Sequence, residues 1–219
     1  MNTLQDLPCP PSRRTRRKQA RPGELLDAAL ALFVEKGFAA TRVEEVATRA
    51  GVSKGTLFLY FPSKQALFKA VVRENVGRHL DQALADLASY TGSSADLLRE
   101  FLRRWWTHYG NTPAAGLCKL IVVEVAHFPE LARDYQEQVV LPSHELLRRV
   151  LERGIASGEF RRVDVAQTVP LIIAPLLQLV LWRQWPTDCM PAPTSDPQAL
   201  LAQHADLLLH GLRPDTATP

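Results

Sequence analysis

Apolar side chains recur along this chain at helical spacing, every third or fourth residue, and almost nowhere in alternation. From Arg21 to Lys36 the line runs through Leu25, Ala28, Ala29, Leu32 and Phe33, and Gly37 supplies a left-handed stop. Thr41, with Glu44 three residues on, reads as a capping box. It opens a second helix whose inner stripe is Val43, Val46, Ala47 and Ala50, ended by Gly51. A break at Pro62-Ser63 precedes a long helix lined by Leu67, Phe68, Val71, Val72, Val76, Leu80, Leu84 and Leu87, with Gly77 as its weak point. Further helices are predicted from Ala95 to Tyr109 and from Gly116 to Phe128, the latter apolar on all sides as a central helix would be. Others span Pro129 to Ser157, Asp164 to Trp185 (adjusted at Pro170 and Pro175) and Pro197 to Leu212. The fold class is all-α, with about nine helices and no strand or internal repeat.

The stretch "GVSKGTLFLYFPSK", Gly51 to Lys64, breaks this regularity. Small and polar residues run straight into five large apolar ones, Leu57 to Phe61, more than one face of a short helix can bury. With Val43 as the first position of a helix-turn-helix, Ala47 falls at the close approach of the two helices and Gly51 in the tight turn. Leu57 then anchors the second helix inward, aided by Val46 and Val52. Ser53, Lys54, Gly55, Thr56, Phe58 and Leu59 are left on the outer and leading edges, free to enter a DNA major groove.

Charge sharpens this reading. The formal net charge of +3 is unevenly spread: residues 1–64 hold 11 Lys+Arg against 6 Asp+Glu, the remainder 15 against 17. An anionic partner is therefore expected at the amino-terminal end. Residues 1–20 read as a disordered basic arm, with Arg13, Arg14, Arg16, Arg17 and Lys18 available to phosphate or the minor groove. Cys9, Cys118 and Cys189 are odd in number and widely spaced, which points away from a disulfide framework or a zinc site. The apolar run Leu171–Trp182 is 12 residues long and reads as a buried helix, not a membrane span. A cytoplasmic protein without a membrane partner, cofactor or metal is expected.

The segment "ATRVEEVATRAGVSKGTLFLYFPSKQALF" resembles the DNA-binding segment of the TetR/AcrR family of bacterial transcription regulators, a likeness extending over roughly Arg21 to Val72. A fainter one, in "LCKLIVVEVAHFPELARDYQEQVV" and "LERGIASGEF", resembles a regulatory domain of one branch of that family. The resemblance implies a head of three small helices at residues 21–64 and a ligand-binding and dimerisation domain at 65–219. It implies phosphate or base contacts from Thr41, Ser53, Lys54, Thr56, Tyr60 and Lys64, with Gly55 letting the backbone approach; Arg42 is a further candidate. The family usually has Tyr where this chain has Phe58, so Phe58 offers only apolar contact, and Leu59 is unusually apolar for such a site.

For the remaining helices the resemblance implies a homodimer on palindromic double-stranded operator DNA, released by a small hydrophobic effector, most simply as a repressor. Phe101, Trp105 and Tyr109, beside Leu120, Glu124 and His127, are the candidate pocket. Ile172, Leu176, Leu179, Leu201 and Leu208 are the candidate dimer interface. An enzyme is the competing class. Glu124-Val-Ala-His127 has the spacing of a di-iron helix motif, but the second copy and extra carboxylates such a site needs are missing from the sequence. A constitutive architectural DNA binder is the third.

Overall fold

The computed structural model describes residues 22–183 and 196–214, and the basic arm with Cys9 and Cys189 lies outside them. Eleven α-helical segments follow one another: α1 (Pro22–Ala40), α2 (Val43–Arg49), α3 (Lys54–Tyr60), α4 (Lys64–Val72), α5 (Arg78–Ser89), α6 (Ser94–Trp105), α7 (Gly116–Glu124), α8 (Pro129–Tyr135), α9 (Leu141–Ala156), α10 (Val165–Trp182) and α11 (Pro197–Leu212). Because α4 runs on into α5, and α8 into α9, these segments make nine rods among the described residues, with no strand.

The joints within the rods are π turns, in which an N–H reaches back five residues instead of four. Arg78 N–H donates to the Arg73 carbonyl, Asn111 N–H to that of Trp106 (2.8 Å), and Leu141 N–H to that of Gln136. Each joint stands where its rod passes between the two apolar cores. Before Arg73–Gly77, Leu67, Phe68, Val71 and Val72 face the first core; beyond it, Leu80 still packs on the first, and Leu84 and Leu87 face the second. Leu98, Leu102 and Trp106 belong to the second core, and within the closing π turn of α6, Trp106–Gly110, Tyr109 belongs to the first. Leu131 and Tyr135 face the first, Leu146 and Leu147 the second, with Gln136–Val140 between. An α-helix advances about 100° per residue, so one extra residue turns the apolar face to a new neighbour.

The first core joins α1 to α4 with α7 and α8, and therefore continues past residue 64. Its centre is aromatic: Phe33, Phe38 and Phe68 lie with ring centres 5.6–5.7 Å apart, and Phe128, from the turn after α7, sits edge-on to Phe38 at 5.0 Å. The long axis of α7 lies against α1, close enough that a Cβ on Gly116 would stand 2.6 Å from Val34.

Two expectations fail here. Val122, Val123 and Val125 at the end of α7 are exposed, so the apolar stretch is not buried on all sides. The run Leu171–Trp182 belongs to an 18-residue helix, α10, long and apolar enough by composition to cross a membrane, with only 28% of its residues buried. Its inner edge (Val169, Ile172, Leu176, Leu179, Val180) packs on the chain, while Leu171, at 66% exposure, faces outward.

Candidate nucleic-acid interface

One long helix and two short ones build the site. α1 is broken at Gly37, whose φ of 83° lies in the left-handed region, and turns the chain into α2. The cap of α2 is Arg42, not Thr41: Glu45, at the third helical position, accepts the Arg42 N–H at 3.5 Å, so the expected box is shifted by one residue. The reason is that Thr41 is buried, its hydroxyl donating back to the carbonyls of Gly37 (2.7 Å) and Leu32 (3.1 Å). That corrects Thr41 as a DNA contact; its hydroxyl ties off the end of α1.

Between α2 and α3 the turn needs Gly51 for its conformation, since φ is 71° and the space around it is open. Ala47 and Leu57 are buried at the helix crossing together with Val46 and Val52. Ser53 caps α3, accepting the Thr56 N–H at 3.1 Å, and the two hydroxyls are 2.8 Å apart. With Leu57 inward, Phe58, Leu59 and Tyr60 are exposed, Leu59 at 85%, and Lys54 and Gly55 lie on the leading edge. Of the five apolar residues from Leu57 to Phe61, only the first is buried and the last half-buried.

The electrostatics of this face differ from expectation. Residues 22–64 hold five basic and five acidic side chains, so the folded head is neutral and the amino-terminal excess resides in residues 1–21. Lys54 Nζ is 2.6 Å from Glu44 Oε1, and this hydrogen bond holds the Glu44 carboxyl below its ordinary range. Lys36 pairs with Glu45 and Arg49 with Glu35, each at 3.1 Å. Arg42 is exposed and has no ion pair among the described residues.

Lys64 has another task. Its ammonium donates to the carbonyls of Phe38 (2.7 Å), Thr41 (3.0 Å) and Ala39 (3.2 Å) and lies over the Phe38 ring. All three donors of the ammonium are thereby engaged, and burial pushes its pKa down. In this geometry Lys64 closes the α1–α2 corner and has no N–H left for a phosphate, which corrects that expectation.

The six pocket candidates do not converge. Tyr109 is buried with its hydroxyl 3.0 Å from that of Tyr135, and burial raises the pKa of both. Leu120 is in the first core, Phe101 packs on the second, and Trp105 touches both. Glu124 accepts the Ala39 N–H at 3.1 Å, and His127 is exposed. A cleft of about 450 Å³ opens elsewhere, lined by Tyr90, Asp96, Arg99, Glu100, Arg103 and Arg104. It is charged, unlike the apolar site expected. The Cys118 thiol is buried and its pKa is raised by that burial.

The dimer candidates face inward. Ile172, Leu176, Leu179 and Leu201 are buried within their own chain and Leu208 is half-buried. The outward positions on the same two helices are Leu171, Leu177, Trp182 and Leu207. The candidate residues thus lie on the sides of α10 and α11 that their own chain covers.

An inward-anchored second helix after a glycine turn, carried on a larger helical body, is a helix-turn-helix head on an all-α chain. The comparisons agree. Residues 25–71 match the family model for bacterial regulatory proteins of the tetR family, and residues 88–192 match the tetracyclin repressor-like C-terminal domain. The HTH-type transcriptional regulator RutR of Escherichia coli K12 is 42% identical over 93 residues, 42% of either chain, so this match spans less than half of that relative. The HTH-type transcriptional repressor KstR2 of Rhodococcus jostii is 31% identical over 159 residues, 71% of this chain and 76% of that one. FadR of Bacillus subtilis, solved in complex with stearoyl-CoA, superposes with a TM-score of 0.71 at 22% identity, covering 88% of this chain and 100% of that one; the likeness is one of fold. The chain belongs to the TetR family.

Proposed function

We propose that the protein is a repressor that binds palindromic operator DNA as a homodimer in the bacterial cytoplasm, is released by a small hydrophobic ligand, and has no catalytic role. The observation that carries this reading is the division of α3, with Leu57 buried and Phe58, Leu59 and Tyr60 exposed beside Lys54 and Gly55. A helix so divided can lie in a major groove, with Thr56 and Ser53 at its entering end. Ser53, Lys54, Gly55, Thr56, Phe58, Leu59, Tyr60 and Arg42 are the proposed contacts. Phe58 and Leu59 favour thymine methyl groups over hydrogen-bonded base edges.

Dimerisation is supported by the outward residues Leu171, Leu177 and Trp182 of α10 with Leu207 of α11. Exposed apolar side chains on these two helices are best covered by a second copy through a two-fold interface. The hydrophobic effector is supported by the relatives' family and by the aromatic content around Phe101 and Trp105; its lining is assembled only when it binds, because these side chains are packed on the two cores in the free chain.

Selection of duplexes from a random pool by the full chain, read by sequencing, tests the reading. Enrichment of inverted half-sites about one helical turn apart, with a dimer in solution, is expected. Absence of any enriched duplex would overturn it. A melting-temperature screen against apolar compounds, including stearoyl-CoA, tests the effector. A chain that binds inverted half-sites and is stabilised by no compound would instead be an architectural binder.

A further inference from the structure

Glu124 and Asp134 are the two buried acids among the described residues, and both stand where the head meets the rest of the chain. A buried carboxylate is costly unless it is paired or hydrogen-bonded, so each position demands specific partners. Glu124, the last residue of α7, accepts the Ala39 N–H at 3.1 Å, in the corner that Lys64 closes by donating to the carbonyls of Phe38, Ala39 and Thr41. The same oxygen would stand 2.9 Å from a Cβ on Gly37, so the corner is shaped to admit it. Asp134, on α8, accepts from Lys69 Nζ at 2.9 Å and from Gln65 Nε2 at 3.2 Å. Gln65 and Lys69 both belong to α4, the helix that follows α3 after Phe61, Pro62 and Ser63.

These contacts differ in kind from the surrounding phenylalanines. Apolar packing is non-directional and tolerates sliding, whereas a hydrogen bond weakens steeply with angle. We propose that Glu124 and Asp134 are positioning residues that fix the angle of the DNA head, so that displacement of α7 or α8 is transmitted to α3 through these two carboxylates. The inference rests on the dimeric, operator-binding reading. Paired heads held at one angle fit one half-site separation; heads released from the carboxylates fit several.

The test uses full-length protein, a duplex selected as above, and a ladder of duplexes in which the half-sites are moved apart one base pair at a time. The wild type should prefer one separation by about tenfold or more, within the usual range of coupling between sites. Glu124→Ala and Asp134→Ala should flatten that preference to within about threefold while retaining affinity for a single half-site. Glu124→Gln, which keeps an acceptor for the Ala39 N–H, should restore it. Lys69→Met, altering the half-exposed partner of Asp134, gives a second route should Asp134→Ala fail to fold. Folded variants with the wild-type separation profile would overturn the inference alone. A wild type that selects no paired half-sites would overturn the operator reading and this inference together.

Discussion

Lys54 Nζ lies 2.6 Å from Glu44 Oε1, tying the single lysine of the recognition helix to the helix that precedes it. In the free chain this ion pair orients the lysine along the exposed face; on DNA the same lysine would meet a phosphate with Glu44 beside it. The two arrangements compete, because one ammonium cannot fully satisfy both anions and the carboxylate repels the phosphate.

Glu44→Gln is therefore expected to tighten DNA binding, by about two- to fivefold at low salt, as suits a solvent-exposed pair. The gain should shrink as salt is raised, since screening weakens both attraction and repulsion. Fluorescence anisotropy on a selected duplex across a salt series checks it. Unchanged or weaker binding would show that Glu44 supports the bound geometry instead.

Lys64→Ala should act on the head's folding more than on its charge. Three carbonyls lose a shared cationic donor, at a cost of about 1–3 kcal/mol. The slope of log affinity against log salt should stay as in the wild type, whereas loss of a phosphate contact would reduce it by about one. Urea melts and salt-dependent binding together decide the role of this residue.

Leu57 and Leu59 occupy the same short helix and should respond oppositely. Leu57→Ala removes a fully buried side chain and should cost about 2–5 kcal/mol, with loss of DNA binding. Leu59→Ala should leave the melt unchanged and relax selection for thymine-containing half-sites, because its side chain is 85% exposed. Thermal denaturation and duplex selection on both variants provide the check.

Acid should reveal the ion pairs of α6. Hydrogen bonds from Arg103, then Arg104, hold Glu100 at about 2, below its ordinary 4.5. A depressed folded value means the stabilisation is fully present above about 4.5 and is lost as pH falls toward about 2. Wild type and Glu100→Gln should thus differ in urea midpoint near neutral pH and converge in strong acid. A difference independent of pH would assign the effect to packing.

Much of this architecture was legible in spacing. Leu57, Ala47 and Gly51 follow from the geometry of two crossing helices and a left-handed turn, and the helix order follows from apolar period and proline breaks. What could not be read was which polar group turns inward. Thr41 and Lys64 look like surface contacts in sequence, yet their donors close the corner after Gly37, a three-dimensional arrangement of carbonyls that no local pattern records. Glu124 stood out as a polar exception in an apolar helix, and its partner, the Ala39 N–H, lies 85 residues away in the chain. Asp134 carried no signal at all, being one acid among many on an ordinary charged segment. The burial of Ile172, Leu176 and Leu179 was unreadable for a different reason: α10 is apolar nearly all round, so period alone cannot say which side its own chain covers.

The π turns make chain length within the rods a structural variable in its own right. Removing one residue between Arg73 and Gly77 would let a straight α-helix form more easily, yet it would rotate everything downstream by about 100°. Leu84 and Leu87 would then swing away from their partners, even though no side chain at the joint had been lost. Single-residue deletions, harmless in most surface loops, should here be among the most damaging changes. Related chains that differ in length ought to place their insertions outside these three joints.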